Sequence, residues 1–136
     1  MNLVDELLKA DVKKAEELET GVFKSRRLAK ILETDEPVDV KIREIKARRL
    51  NDIAAHQIDS NGKVDFSKVY DASLIACVEG CVEPDLRDKN LQQHFGCDSA
   101  IKLAEMLFGM EAKDISSAIS ELSGVLAEEN EEEIKN

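Results

Sequence analysis

The chain has 136 residues and a formal net charge of −10, and Leu, Ile, Val and Phe make up 38 of its residues. This length and apolar content predict one domain with an aliphatic core and exclude a chain that stays unfolded. The charge argues against general affinity for nucleic acid. The short apolar runs predict neither a signal peptide nor a membrane span, and the three cysteines are expected to be reduced thiols, as in a cytosolic protein.

The first half of the chain predicts short helices and a small β element. Apolar residues at helical spacing predict an N-terminal helix over 3–8, and the polar residues 11–20 fit either its continuation or a loop. Residues 22–32 fit a strand or a short helix. Alternation of apolar and polar residues over 38–42 predicts a half-exposed strand, and a helical stripe follows over 50–58.

The second half of the chain predicts helices only. Apolar side chains three and four residues apart predict a helix that begins near Phe66 and stops at Gly80 and Pro84. A short helix over 91–95 and two longer ones follow, the first capped by Asp98 and Ser99 and closed by Gly109, the second carrying Ile115, Ala118, Ile119 and Leu122. The predicted fold class is therefore mainly α: a compact domain of about five to seven helices with a small two-stranded β element near residues 20–45.

The segment QIDSNGKVDFSK matches the glycine and several ligand positions of a calcium loop. The match fails at both ends, because Gln57 and Lys68 stand where the loop requires carboxylates. We expect instead a turn in which Gly62 supplies a positive φ, followed by a helix capped by Asp65 or Ser67.

Four residues of zinc-ligand type, Cys77, Cys81, His94 and Cys97, lie within 21 positions. Such a set is able to close a tetrahedral zinc site. However, Cys77 and Cys81 share the apolar stripe of a predicted helix, where a buried cysteine behaves as a small hydrophobe. We therefore expect core thiols and no metal or cofactor, with zinc as the alternative.

Positive charge is concentrated in residues 24–49, which hold nine Lys or Arg and five acidic residues. No aromatic residue is placed among the basic ones to stack on bases, so a solvated face or a contact for an acidic partner is the favoured interpretation. Neither His56 nor His94 lies near a nucleophile motif, and there is no phosphate-binding glycine loop. We expect no enzymatic activity.

The order of these elements resembles the XkdN-like phage tail assembly chaperone family over residues 1–126. The resemblance rests on VFKSRRLAKIL and VDVKIREI in the first half, and on P-D-L-x-D-x-x-L at 84–91, F-G at 95–96 and L-S-G at 122–124 in the second. It implies a single tail-assembly-chaperone-like domain over 1–126, followed at 127–136 by an acidic tail, which its five glutamates predict to be disordered.

The resemblance also implies a function. Such a protein is expected to act in the cytoplasm of the bacterial host, to bind the tape measure protein, with the tail tube protein as a further partner, and to be absent from the mature virion. Ile115, Ile119 and Leu122 are the candidate groove for an apolar helix of that partner, with ordinary core packing as the alternative. Self-association stays open. The rival functions are a small nucleic-acid-binding regulator with a Cys/His zinc site and a structural tail component.

Overall fold

The computed structural model describes residues 2–125. Over these residues the chain forms eight helices and one three-stranded antiparallel sheet. The helices are α1 (Leu3–Leu8), α2 (Val12–Glu16), α3 (Arg26–Leu32), α4 (Ala47–Ala55), α5 (Phe66–Gly80), α6 (Lys89–His94), α7 (Ala100–Phe108) and α8 (Glu111–Leu122), and the strands are β1 (Thr20–Ser25), β2 (Val38–Arg43) and β3 (Cys81–Glu83). Among these residues, none of the helices combines the length and apolar character needed to cross a bilayer.

The sheet has the strand order β1-β2-β3, with Gly21 opposite Ile42 and Lys41 opposite Glu83. In β2 the side chains of Val40 and Ile42 are buried, whereas those of Asp39, Lys41 and Arg43 face water. This alternation places one face of the sheet on the core and leaves the other solvated. The strand predicted from the pattern over 38–42 is confirmed.

The prediction of a mainly helical domain with a two-stranded element is wrong, because the fold is mixed α/β with a three-stranded sheet. Two local features explain the error. The ambiguous segment 22–32 is a strand as far as Ser25 and a helix from Arg26 onward, and the buried Ser25 hydroxyl caps that helix by accepting from the Leu28 N–H at 3.0 Å. After Gly80, the chain continues as β3, whose three residues are too few to show an alternating pattern.

The core lies between the sheet and the second-half helices, with α5 packed on α8, α7 and α4. The buried side chains form one mostly aliphatic cluster, in which Leu103, Phe108 and Ile115 have no exposed surface. Of the predicted caps of α7, Ser99 is confirmed, because its Oγ accepts from the Lys102 N–H at 3.2 Å, and Gly109 follows the last turn as predicted. The Asp98 carboxylate does not cap the helix and instead pairs with the Lys102 ammonium at 2.9 Å. This packing orients α8 so that its C-terminal end meets β1 and β2.

Candidate partner-binding surfaces

The three residues predicted to bind a partner lie on α8, but only one of them reaches the surface. Ile115 and Ile119 have no exposed surface and belong to the core cluster. Leu122 is half-buried and lies next to β1. In the folded domain, the two isoleucines therefore offer no surface to a partner. Of the three predicted partner-binding residues, only Leu122 is accessible.

Leu122 lines a groove of about 280 Å³ between the C-terminal end of α8 and the sheet. The other lining residues are Gly21, Val22, Ile42, Ala118 and Glu121. Strand β1 is at the edge of the sheet and pairs on one side only within residues 2–125. An apolar groove beside an edge strand can accept an extended segment or an apolar helix face.

The N-terminal helix, which the apolar spacing over 3–8 predicts, presents an apolar face to solvent. Its four apolar residues, Leu3, Val4, Leu7 and Leu8, are 63 to 79% exposed. Neither α1 nor α2 buries any residue. Exposed apolar surface of this kind marks interaction sites. One feature of the sequence indicates this exposure: the apolar stripe is followed by the polar residues 11–20, so no neighbouring apolar segment is available to cover it.

A second exposed apolar cluster lies beside the turn that precedes α5. Phe66 is 85% exposed, and Ile58 and Val64, which form an isolated β-bridge, are about half exposed. The helical stripe predicted to begin at Phe66 is therefore buried only from Ala72 onward, with Val69 and Tyr70 half-buried.

The motif residues at 84–91 have structural roles. Asp85 Oδ1 accepts from the Arg87 N–H, and Asp88 Oδ1 accepts from the Leu91 N–H, both at 3.0 Å, which shapes the turn and caps α6. Leu86 is fully buried, and its carbonyl accepts from Gln92 Nε2 at 2.9 Å. This motif therefore fixes a connection in the fold.

The basic segment divides into separate contacts. The Lys24 ammonium pairs with Asp39, and the Lys41 ammonium lies 3.3 Å from Glu83 Oε2, both on the solvated face of the sheet. Arg49 Nε is 2.8 Å from each oxygen of Glu79, and this hydrogen bond raises the pKa of the guanidinium. Three cations of the segment lie with Arg87 around a groove of about 220 Å³, which we call the cationic groove. Its lining residues are Leu18, Arg43, Glu44, Ile45, Lys46, Arg49, Glu79 and Arg87.

The four zinc-type residues are not brought together. Cys77 and Cys81 are buried, and the pKa of the Cys77 thiol is raised by its hydrogen bond with Cys81 and by burial. His94 is exposed, with its ring edge-on to Phe95 at 5.0 Å between centroids, and Cys97 Sγ lies 4.0 Å from a methionine sulfur. In the described part of the chain, no three His, Cys, Asp or Glu side chains are grouped to hold a metal ion.

We expect the purified protein to keep its helical circular dichroism signal when a strong zinc chelator is added. A structural zinc site would make folding depend on the metal. Cys77→Ala should cost about 1 kcal/mol of unfolding free energy, as a small core truncation does. Stoichiometric zinc in the purified protein, or loss of the helical signal with chelator, would contradict this expectation.

The segment that resembles a calcium loop is a turn followed by a helix cap, as predicted. Gly62 has φ +80°, and Asp59 Oδ1 accepts from the N–H groups of Asn61 and Lys63 at 2.8 and 3.0 Å. Asp65 caps α5 by accepting from the Ser67 N–H at 3.0 Å, and its hydrogen bond from the Ser67 hydroxyl lowers the pKa of this carboxyl. Both carboxylates are therefore engaged with groups of their own turn.

Calorimetric titration of the full chain with calcium should give no binding heat up to about 1 mM, since two essential ligand positions lack carboxylates. Asp59→Ala should leave the titration unchanged, because the removed carboxylate stabilises the turn and binds no ion. Micromolar affinity that Asp59→Ala abolishes would show that the interpretation is wrong.

Comparison with known proteins adds a family and a fold. A sequence model described as "Phage XkdN-like tail assembly chaperone protein, TAC" matches residues 4–135, nearly the whole chain. The fold is similar to that of the protein yqbn, known from a crystal structure, with a TM-score of 0.53 and 12% sequence identity, covering 81% of this chain and 90% of that one. At this identity the likeness concerns the fold alone. No curated protein matches the chain.

Proposed function

Because the chain belongs to the phage XkdN-like tail assembly chaperone family, we propose that it binds the tape measure protein of its own phage and keeps that protein soluble during tail assembly. Family membership gives the coarser role: a phage tail assembly chaperone that acts in the host cell on phage tail proteins. It also suggests a non-enzymatic protein. The tail tube protein is the second candidate partner, and the chaperone is proposed to leave before the virion is complete.

The observation that carries the proposal is the exposed apolar face of α1. A six-residue helix is too short to be stable in water on its own, and this one buries no side chain against the rest of the domain. Asn2 caps it by accepting from the Val4 N–H at 3.0 Å, so the sequence specifies a helix whose apolar face lacks a partner within residues 2–125. An apolar helix of the tape measure protein fits this face.

The strength of such a contact suits a temporary complex. Apolar surface removed from water stabilises a complex by about 25 cal/mol per Å², so one short helix face and the groove at Leu122 support reversible binding. Release is required because tube subunits must replace the chaperone around the tape measure protein. The net charge of −10 keeps the complex in solution while apolar segments are covered.

Affinity purification tests the proposal with matched variants. Leu8→Glu places a charge on the α1 face at an exposed position and should reduce the amount of co-purified tape measure protein at least about tenfold, which corresponds to about 1.4 kcal/mol. Val22→Glu tests the groove beside Leu122 in the same way. Leu32→Glu, also at an exposed leucine but on α3, is the control and should bind as the unmodified chain does.

Equal recovery of tape measure protein with Leu8→Glu, Val22→Glu and Leu32→Glu would show that neither surface is the binding site. All three variants should keep the thermal unfolding midpoint of the unmodified chain, since each changed side chain is more than half exposed.

A further inference from the structure

Strand β1 is an edge of the sheet, and its outer side has no partner in the part of the chain that the structure describes. On its inner side it pairs with β2, and the Glu44 N–H donates to the Glu19 carbonyl at 2.8 Å in continuation of that register. Because bonded pairs alternate along an antiparallel ladder, the N–H and C=O groups of Thr20, Val22 and Lys24 point away from β2. An open row of this kind is a template for pairing with another strand.

The charge that would guard this edge is already paired. A lysine on an edge strand discourages pairing with another chain, because its charge would have to be covered. The charged residue of β1 is Lys24, and its ammonium pairs with Asp39 of β2. Two positions before it, Val22 is 53% exposed. The edge therefore combines open hydrogen-bonding groups with an exposed apolar side chain and a cation that has its counterion.

Charges along this part of the chain separate into an acidic end and a basic end. Three acidic residues precede the centre of β1 and three basic residues follow it: Glu16, Glu17 and Glu19, then Lys24, Arg26 and Arg27. Glu19 and Arg26 are exposed, and neither forms an ion pair with a side chain of the residues that the structure describes. Two such strands place opposite charges side by side when they are antiparallel, and like charges when they are parallel. The pattern is therefore complementary to a second copy of itself in antiparallel orientation.

A two-fold axis at Val22 gives the register in which the open backbone groups of both strands meet. In this register Val22 lies opposite Val22 of the second copy, and Thr20 lies opposite Lys24. Gly21 lies opposite Phe23, and both belong to the face of β1 that is turned toward the core. Because Gly21 has no side chain and lines the groove of about 280 Å³ at the end of α8, the ring of the second copy finds space there.

We propose that two copies of the chain associate through antiparallel pairing of their β1 strands, which joins the two three-stranded sheets into one. The pairing gives partners to the open backbone groups of both edges and sets each acidic end beside a basic end. Six residues from each copy form an interface well below the size of stable dimers, so we expect a dissociation constant of about 10–100 µM. Each copy uses its β1 edge once, so this association stops at the dimer.

Dimer formation requires no tail protein, so it goes beyond the proposed chaperone function. The second copy covers Val22 and the groove beside Leu122, and an apolar helix of a tail protein has to displace it from that groove. At a few micromolar the chain is a monomer and the groove is open, because association follows mass action. A chain that does not dimerise can still act as a chaperone, and a dimer can form in a chain that binds no tail protein.

Sedimentation velocity of the full chain alone, from about 5 to about 500 µM, should show a change from monomer to dimer. Glu19→Lys should raise the dissociation constant about tenfold, although it makes the net charge of −10 less negative and so reduces general repulsion. Arg26→Glu should raise it as well, and Glu19→Lys/Arg26→Glu should restore the value of the unmodified chain. Lys30→Glu is the control, because it changes the net charge as Arg26→Glu does, one turn further along α3.

Amide hydrogen exchange locates the contact within the dimer. The Val22 N–H points to the open edge, so its exchange should slow several-fold between about 5 and about 500 µM. The Phe23 N–H is the internal control, because it is directed to β2 in the monomer also and should change little.

A chain that remains monomeric at about 500 µM would overturn the proposal. A dimer that Glu19→Lys strengthens would also overturn it, because net charge and not the paired ends would then control association. Unchanged exchange of the Val22 N–H in a dimer would place the contact on another surface and overturn the proposal as well.

Discussion

Glu111→Ala should lower the free energy of unfolding by about 3 kcal/mol. Glu111 Oε1 accepts from the Ser25 hydroxyl at 2.6 Å, and Oε2 accepts from the N–H groups of Arg26 and Arg27 at 3.0 and 3.2 Å. Hydrogen bonds to a charged group contribute about 1.5–3 kcal/mol. The carboxylate also lies at the N-terminus of α3, where negative charge is favourable. Removing it leaves the buried Ser25 hydroxyl without its acceptor.

Urea denaturation of three variants and the unmodified chain measures this effect on the free energy of unfolding. Glu121→Ala is the control, because that side chain is exposed on the same helix, and it should change stability by less than about 0.5 kcal/mol. Glu111→Gln keeps the shape of the side chain and one acceptor oxygen. Its loss of unfolding free energy should therefore lie between those of Glu121→Ala and Glu111→Ala. A loss below about 1 kcal/mol for Glu111→Ala would mean that this contact does not hold α3 against α8.

Gly80→Ala should cost about 2–3 kcal/mol, although Ala favours a helix over Gly by up to about 1 kcal/mol. A Cβ at this position would lie 2.4 Å from Ile119 Cδ1 and 2.9 Å from its Cγ1. Ile119 is fully buried against α5 and has little room to move. The steric overlap therefore outweighs the gain in helix propensity.

A double-mutant cycle separates this overlap from any backbone effect. Ile119→Val removes the Cδ1 atom at a cost of about 0.5–1.5 kcal/mol alone, and the Gly80→Ala/Ile119→Val chain should be more stable than Gly80→Ala by itself. Gly21→Ala is the matched control, since its Cβ would meet the half-buried Leu122 at the longer distance of 3.2 Å. Strict additivity of Gly80→Ala and Ile119→Val would contradict the steric explanation.

The sequence predicted those features that depend on residues close together in the chain. The strand over 38–42, the turn at Gly62 and the caps Asp65 and Ser99 each follow from a local hydrogen bond or an alternating pattern, and each is present. Strand β3 was missed because its pairing with β2 joins residues about forty positions apart, and three residues carry no pattern of their own.

The candidate partner-binding surfaces also depend on contacts between residues that are distant in the chain. Helices α1 and α8 both carry apolar residues at helical spacing, yet the stripe of α1 faces water while Ile115 and Ile119 of α8 are covered by the core. Periodicity indicates which side of a helix is apolar but not what covers that side, because covering depends on contacts between distant elements. The cationic groove could not be predicted from the sequence for the same reason, because Arg87 joins its other residues only in the folded chain.

The predicted tail over 127–136 lies outside the described residues.

Co-expression with the tape measure protein of the same phage is the most direct test of the proposed chaperone function. The soluble fraction of tape measure protein, measured by quantitative mass spectrometry after centrifugation, should rise several-fold with the unmodified chain and with Leu32→Glu. It should stay at the level of the empty vector with Leu8→Glu, and purified virions should lack the chaperone. Unchanged solubility of the tape measure protein, or abundant copies of this chain in finished virions, would contradict the account.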